Sequence, residues 1–209
     1  LALLINELRN KFFAKCVQTV TYIPHFISLV VICGMVRNFV AADGVITNIF
    51  TQITGKQFDE SMLNFSQYFT TIFVGSGIWQ GVGWGSIIYT AAISGVDAQL
   101  YEAATIDGAG RFRQMLSVTL PAIAPTIIIM FILRMGDVLT VSYEKILLLI
   151  NSLNAERAEV LSYYVYKRGI AGSDYGISTA AGFFNSVVNL VFVIATNYIS
   201  KRVSDINLW

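Results

Sequence analysis

The sequence is short of charge. Only 13% of its 209 residues are Asp, Glu, Lys or Arg, against roughly 25% in an average soluble domain. So few charged groups cannot cover a water-facing exterior. The net charge is +1, so no global field of either sign exists, and nucleic-acid recognition gets no support. Histidine is nearly absent. His25 is the only one, and it lacks partner ligands for a metal site or a proton relay. One His and no clustered acids within the apolar stretches make a poor case for an intramembrane catalytic centre. Cys16 and Cys33 have neither metal-ligand spacing nor a disulfide framework. They read as small apolar residues. No G-x-x-x-x-G-K-[ST] phosphate loop is present. The first residues, Leu1-Ala2-Leu3-Leu4-Ile5, lack an initiator Met, a basic n-region and a cleavage pattern. The expectation is an N-terminally truncated chain whose residues 1–8 close an earlier span.

What is present is apolar length. Hydrophobic residues make up 55% of the chain, in four long blocks: Val17–Val40, Phe69–Ser94, Leu120–Val141 and Ile177–Ser200. Each is about 20 residues or more, enough at 1.5 Å per residue to cross a ~30 Å hydrocarbon core. In lipid every backbone group must be paired internally. The blocks do not alternate as barrel strands would. The expected fold class is therefore all-α, a polytopic transmembrane helical bundle forming one domain over residues 1–209. Pro24 in the first block predicts a kink or a late start to regular helix.

Lys and Arg placement orients the bundle. The connection from Arg9 to Lys15, the loop from Gly95 to Val118 with Arg111 and Arg113, and Lys201-Arg202 share one side by alternation. That side reads as cytoplasmic. The connections Ala41–Gln67 and Ser142–Gly176 hold Asp43, Asp59, Glu60, Glu144, Glu156, Glu159 and Asp174. They also hold Lys56, Lys145, Arg157, Lys167 and Arg168.

The loop at about 95–121 is unusual for a link between spans. Asp97 is a good N-cap for a helix starting at Ala98. Ala98–Ile106 has favourable helix propensity. Gly108 can take the left-handed conformation that ends such a helix. A second helix then starts near Gly110 and runs toward the next span. Leu100, Ala103, Ala104 and Ile106 give the first helix an apolar side beside Tyr101 and Glu102. From the residues alone, a helix lying on lipid headgroups and a helix seated in a partner's groove stand equal.

The spacing Glu102-Ala103-Ala104, then Gly108, then Val118-Thr119-Leu120-Pro121 resembles the EAA motif of type I ABC importer permeases. Val118 departs from the family's usual Ile. Further resemblance to the sugar-importer branch lies in Tyr22-Ile23-Pro24-His25-Phe26-Ile27-Ser28, Ile78-Trp79-Gln80-Gly81-Val82-Gly83-Trp84, Asp107-Gly108-Ala109 and Asn207-Leu208-Trp209. It covers essentially the whole chain. It implies a MetI-like permease fold with further spans upstream, in a prokaryotic cytoplasmic membrane, importing carbohydrate, with oligosaccharide favoured. It also implies two cytoplasmic ATPase subunits, a second and different permease subunit, and an extracytoplasmic solute-binding protein. ATP and Mg would be bound by the ATPase partners and no cofactor by this chain. Glu102, Ala103 and Ala104 would lie in the coupling helix, Asp107 and Gly108 in the turn behind it, and Leu120 and Pro121 at the join to the next span. The same architecture serving an amino acid, phosphate or metal remains the nearest rival. A non-catalytic scaffold leaves the motif spacing without a reason.

Polar residues within spans are candidates for the substrate path. Arg134 and Asp137 are three apart, on one helix face, and suit either a structural ion pair or a path lining that touches sugar hydroxyls. Trp79 and Trp84 suit sugar stacking or bundle packing. Asn185, Asn189 and Asn197 suit interhelical hydrogen bonds or substrate contact. Tyr163-Tyr164-Val165-Tyr166-Lys167-Arg168-Gly169 reads as a docking surface for the solute-binding protein, a lid, or a plain surface helix.

Overall fold

The computed structural model describes residues 1–8 and 10–204, with side chains as far as Arg202. Arg9 and the Asn207-Leu208-Trp209 end fall outside the described residues. Among the described residues there is helix and no strand. The order is α1 Ala2–Asn6, α2 Lys11–Phe26, α3 Leu29–Phe39, α4 Val45–Thr54, a short 3-10 turn Met62–Asn64, α5 Ser66–Ser94, α6 Ala98–Ile106 and α7 Arg111–Gln114. A π-turn Met115–Thr119 leads into α8 Leu120–Met135. Then come α9 Tyr143–Leu149, α10 Ala155–Ala158, α11 Leu161–Val165, a second π-turn Tyr166–Ala171, and α12 Tyr175–Ser204.

Local chemistry sets the boundaries. Asn10 Oδ1 accepts from the Phe12 and Phe13 N–H groups at 2.9 and 3.2 Å where α2 begins. Ser28 caps α3, and Ser142 caps α9 by accepting from the Lys145 N–H at 3.3 Å. Gly55, at φ 72°, closes α4 in the left-handed conformation. Such caps satisfy backbone groups that a helix end leaves unpaired.

The block Val17–Val40 reads in sequence as one span. It is two helices, α2 and α3, bent by 106° at their break. Pro24 lies inside α2 and cannot donate to the carbonyl four residues back. The last turn of α2 is weakened there, and Ser28 starts a new helix four residues on. Among the described residues two helices are long and apolar enough to cross a membrane, Arg111–Met135 and Tyr175–Arg202, and the bent pair adds a third if it counts as one span. The block Phe69–Ser94 lies within α5, whose 29 residues reach about 43 Å. Gly75, Gly77, Gly81, Gly83 and Gly85 dilute its hydropathy.

The chain packs as two compact units, with divisions inside α2, α5 and α12. One unit comprises residues 1–22, 82–138 and 187–209, the other 23–81 and 139–186. In the second, Ile32, Cys33 and Val36 on one face of α3, with Val40 just past its end, bury against Phe58, Met62, Leu63, Phe69, Ile146 and Leu149. Asn154, fully buried there, donates to the Leu63 and Leu149 carbonyls and accepts from the Asn151 N–H. In the first, Ala2, Ile93 and Ile123 are buried among Leu3, Tyr89, Ala92, Val96 and Ile127. Gly83 sits against Thr21 so tightly that a Cβ would fall 2.0 Å from the Thr21 carbonyl oxygen. Much apolar surface stays uncovered. Phe183, Phe184, Leu190, Val191, Ile194 and Ile199 of α12 are all exposed, as expected of a helix whose surroundings are lipid or another subunit.

Candidate functional site: a helix-turn-helix leading into a span

Asp97 is the N-cap of α6 and accepts from the Gln99 N–H at 2.9 Å. Such a cap contributes about 1 kcal/mol. At the other end the Ala109 N–H bonds the Ala104 carbonyl at 2.9 Å and the Gly108 N–H bonds the Thr105 carbonyl at 3.0 Å. This paired closure requires a left-handed residue just past the cap, and Gly108 supplies it with φ 74°. The second arm starts at Gly110 and continues unbroken through α7, the π-turn and α8, giving one 25-residue helix Arg111–Met135. Pro121 lies inside it. Proline lacks an N–H and its ring crowds the carbonyl four residues back, that of Ser117. The turn just before it is widened, closed by the Leu120 N–H on the Met115 carbonyl.

The two arms are hydrogen-bonded to each other. Tyr101 Oη lies 3.0 Å from Thr119 Oγ1. Gln114 Nε2 donates to Thr105 Oγ1 at 2.9 Å and to the Ala109 carbonyl at 3.0 Å. Asn6, Glu7, Leu8, Tyr101, Arg111 and Gln114 line a pocket of about 350 Å³ beside this elbow. The outward side of α6 is bare. The helix has no buried residue, Glu102 and Ala103 are exposed, and Leu100 and Ile106 stand 50% and 86% exposed, with Phe112 exposed just beyond. Of the other motif positions, Ala104 and Leu120 are half-buried, and Asp107, Gly108 and Pro121 are exposed.

The substrate-path candidates are scattered. Arg134 is exposed in the last turn of α8. Asp137 lies beyond the helix end, so the two do not share a helix face, and the ion pair expected from their spacing does not form. The Asp137 N–H bonds the Arg134 carbonyl at 3.2 Å instead. Trp79 and Trp84 are exposed on α5. Asn185 and Asn189 are half-buried on α12, and Asn185 Oδ1 is buried without a hydrogen-bond partner. Asn197 is buried. The aromatic segment 163–169 is held by neighbouring residues: Tyr143 stacks on Tyr166 at 5.1 Å, and Lys167 pairs with Glu159 at 2.7 Å. Among the described residues no group of three or more His, Cys, Asp or Glu gathers to hold a metal.

Sequence reasoning left two features unread. The bonds between the arms join residues on different elements and depend on the π-turn. The other is Lys145, which in sequence is only one of several charges in an outer connection. It is 5% exposed, donates to the Phe73 carbonyl at 2.9 Å and lies 4.7 Å from that ring's centroid. Burial pushes its pKa below the ordinary 10.5, with nearby Cys33 acting the other way. The signal was present: Lys145, Ile146 and Leu149 fall on one face of a short apolar helix, and all three are buried.

Comparison with known proteins follows the same lines. The family model described as "Binding-protein-dependent transport system inner membrane component" matches residues 1–205. Protein LplB of Bacillus subtilis is 43% identical over 97% of this chain and 63% of its own length. The polygalacturonan/rhamnogalacturonan transport system permease protein YteP, also of Bacillus subtilis, is 42% identical over 98% of this chain and 64% of its own length. The chain thus spans under two thirds of the length of these relatives. A crystal structure of a bacterial ABC transporter involved in the import of the acidic polysaccharide alginate contains a chain 41% identical with a TM-score of 0.91. That match covers 97% of this chain and 71% of the other. A second structure, of the bacterial alginate transporter in complex with alginate pentasaccharide-bound periplasmic protein, matches equally at 41% identity and TM-score 0.91, covering 99% and 72%. The chain belongs to the binding-protein-dependent transport system inner membrane component family. It has the helical membrane permease fold of that family.

Proposed function

We propose that the chain works as a permease subunit of an ATP-driven importer of oligosaccharides, moved by separate cytoplasmic ATPase subunits that grip α6. The observation that carries this is the bareness of α6. A capped, hydrogen-bonded helix with exposed Leu100 and Ile106 and no buried residue is joined by a short glycine turn to a membrane-crossing helix. An apolar helix face with nothing against it suits a partner's groove. Closure of two ATPase subunits would shift that groove, and the docked helix would carry the span with it. Glu102, Ala103 and Ala104 form the docked segment. Asp107 and Gly108 hold its angle, and Leu120 and Pro121 join it to α8. A second permease subunit and an extracytoplasmic solute-binding protein complete the assembly, in the cytoplasmic membrane of a prokaryote. This chain binds no nucleotide, and the ATPase partners hold ATP and Mg.

The names of the relatives support carbohydrate as cargo. Alginate and polygalacturonan are both uronate polymers, so anionic oligosaccharides are the first substrates to try. Arg134, Asp137, Trp79, Trp84, Asn185 and Asn189 are the positions to substitute in mapping the path.

The docking is tested by thiol protection. In a Cys16→Ser background, Ile106→Cys should react fast with a maleimide in the permease alone and slowly once the ATPase is bound. Equal labelling with and without the ATPase would remove α6 as the docking element.

A further inference from the structure

Tyr101 and Thr105 are four apart on α6, so they share one helix face. Gln114 and Thr119 are five apart on the second arm. In an uninterrupted α-helix that spacing puts side chains about 140° apart, and only one of the two would face α6. The π-turn Met115–Thr119 closes five residues on rather than four, which brings residues five apart onto one face. The two faces then meet in register. Tyr101 Oη pairs with Thr119 Oγ1 at 3.0 Å, and Gln114 Nε2 donates to Thr105 Oγ1 at 2.9 Å. Thr105 Oγ1 in turn donates to the Tyr101 carbonyl at 2.7 Å, tying one rung to the other. The Tyr101–Thr119 rung is the more sheltered, with Thr119 only 2% exposed. The Gln114–Thr105 rung is exposed, and Tyr101 and Gln114 both line the pocket beside the elbow.

We propose that this two-rung ladder, put in register by the π-turn that precedes Pro121, makes α6 and the start of α8 move as one body. Tyr101, Thr105, Gln114 and Thr119 are its positioning residues. The inference rests on reading α6 as the element a partner moves. Covalently the arms are joined only through Asp107, Gly108, Ala109 and Gly110, and two of these four are glycines. A displacement applied to α6 would flex such a turn before it moved a 25-residue helix. The ladder removes that freedom. Side chains outside the Glu102-Ala103-Ala104 segment then decide how much of the ATPase stroke reaches the membrane.

The test uses the complete transporter in proteoliposomes, with oligogalacturonate as the transported probe and ATP hydrolysed per molecule imported as the readout. Thr119→Val and Tyr101→Phe should each raise that ratio by about fivefold, with the ATPase still bound. The double variant should do no more than either single one, because both remove the same bond. Thr119→Ser, which keeps the hydroxyl, should hold the wild-type ratio, and Gln114→Ala should raise it less than Thr119→Val. A purely structural defect would lower hydrolysis and import together and leave the ratio unmoved. Should Thr119→Val fail to assemble, Tyr101→Phe leaves the buried threonine in place and removes the same bond. If Gly108→Pro uncouples the transporter while Thr119→Val and Tyr101→Phe stay within about twofold of wild type, the ladder proposal is wrong and the docking role of α6 stands. If Gly108→Pro also transports normally, the reading of α6 fails, and the ladder goes with it.

Discussion

Lys145 carries a charge into a place that disfavours it. Its ammonium meets a backbone carbonyl and an aromatic face, Phe73 in both cases, and Gly77 leaves it room, since a Cβ there would stand 3.3 Å from Nζ. Desolvation lowers its pKa in the fold below the ordinary 10.5. The folded chain therefore binds fewer protons than the unfolded chain between the lowered value and 10.5, and stability rises with pH through that window. The cost of the buried charge is fully present below the lowered pKa. Against a Lys145→Met reference, which lacks the titration, the wild-type Tm should rise as the pH approaches 10.5 from neutral. A difference that stays flat or shrinks would show that the ammonium is not held at a cost. Gly108 is the opposite kind of residue, legible in the sequence by itself. Its φ of 74° follows from a local rule about helix ends, and the Asp97 cap does too. A Cβ at Gly108 would meet nothing within 4 Å, so substitution there costs backbone strain alone, about 1 kcal/mol for Ala and more for Pro, whose ring fixes φ near −65°.

Among the elements, those written in short-range chemistry were readable and those written in contacts were not. The helix, glycine turn and second helix over 97–121 follow from the cap, the propensity and the glycine. The join between the arms does not, because the π-turn shifts every residue after it by about 100°, and no hydropathy pattern records that. Pro24 announced a disturbance in Val17–Val40, but the full break with its 106° bend needed Ser28 as a second cap. The pairing of Arg134 with Asp137 needs helix through both residues, and α8 ends at Met135. Close helix approach was equally hidden: Gly83 on α5 admits the Thr21 carbonyl of α2 where a Cβ would fall 2.0 Å from its oxygen. The obstacle is backbone, which cannot swing aside. Gly83→Ala should therefore cost about 2 kcal/mol and lower the Tm of the detergent-solubilised protein by about 4–8 °C. An unchanged Tm would mean that α2 and α5 do not need this contact.

At the scale of the molecule, the sparse charge that opened the sequence becomes an exterior of exposed Phe, Leu, Ile and Val on α12, suited to lipid and to other subunits. The class was legible from that scarcity alone, since few soluble chains carry 13% charged residues. What was not legible is how the chain divides. One unit takes its residues from both ends and the middle of the sequence and the other from the two stretches between, and only long-range contacts define them. The ladder, the bare face of α6 and the unbroken helix Arg111–Met135 all give one account, in which force enters at Glu102 and leaves through a span. That account is tested most directly by ATP-dependent uptake of labelled oligosaccharide into proteoliposomes holding the complete transporter with Glu102→Lys in this chain. Glu102 is exposed, so the variant should fold and insert normally, and retention of the ATPase is checked by co-purification. Uptake should fall about tenfold or more while ATP hydrolysis persists. Uptake at the wild-type rate would contradict the account.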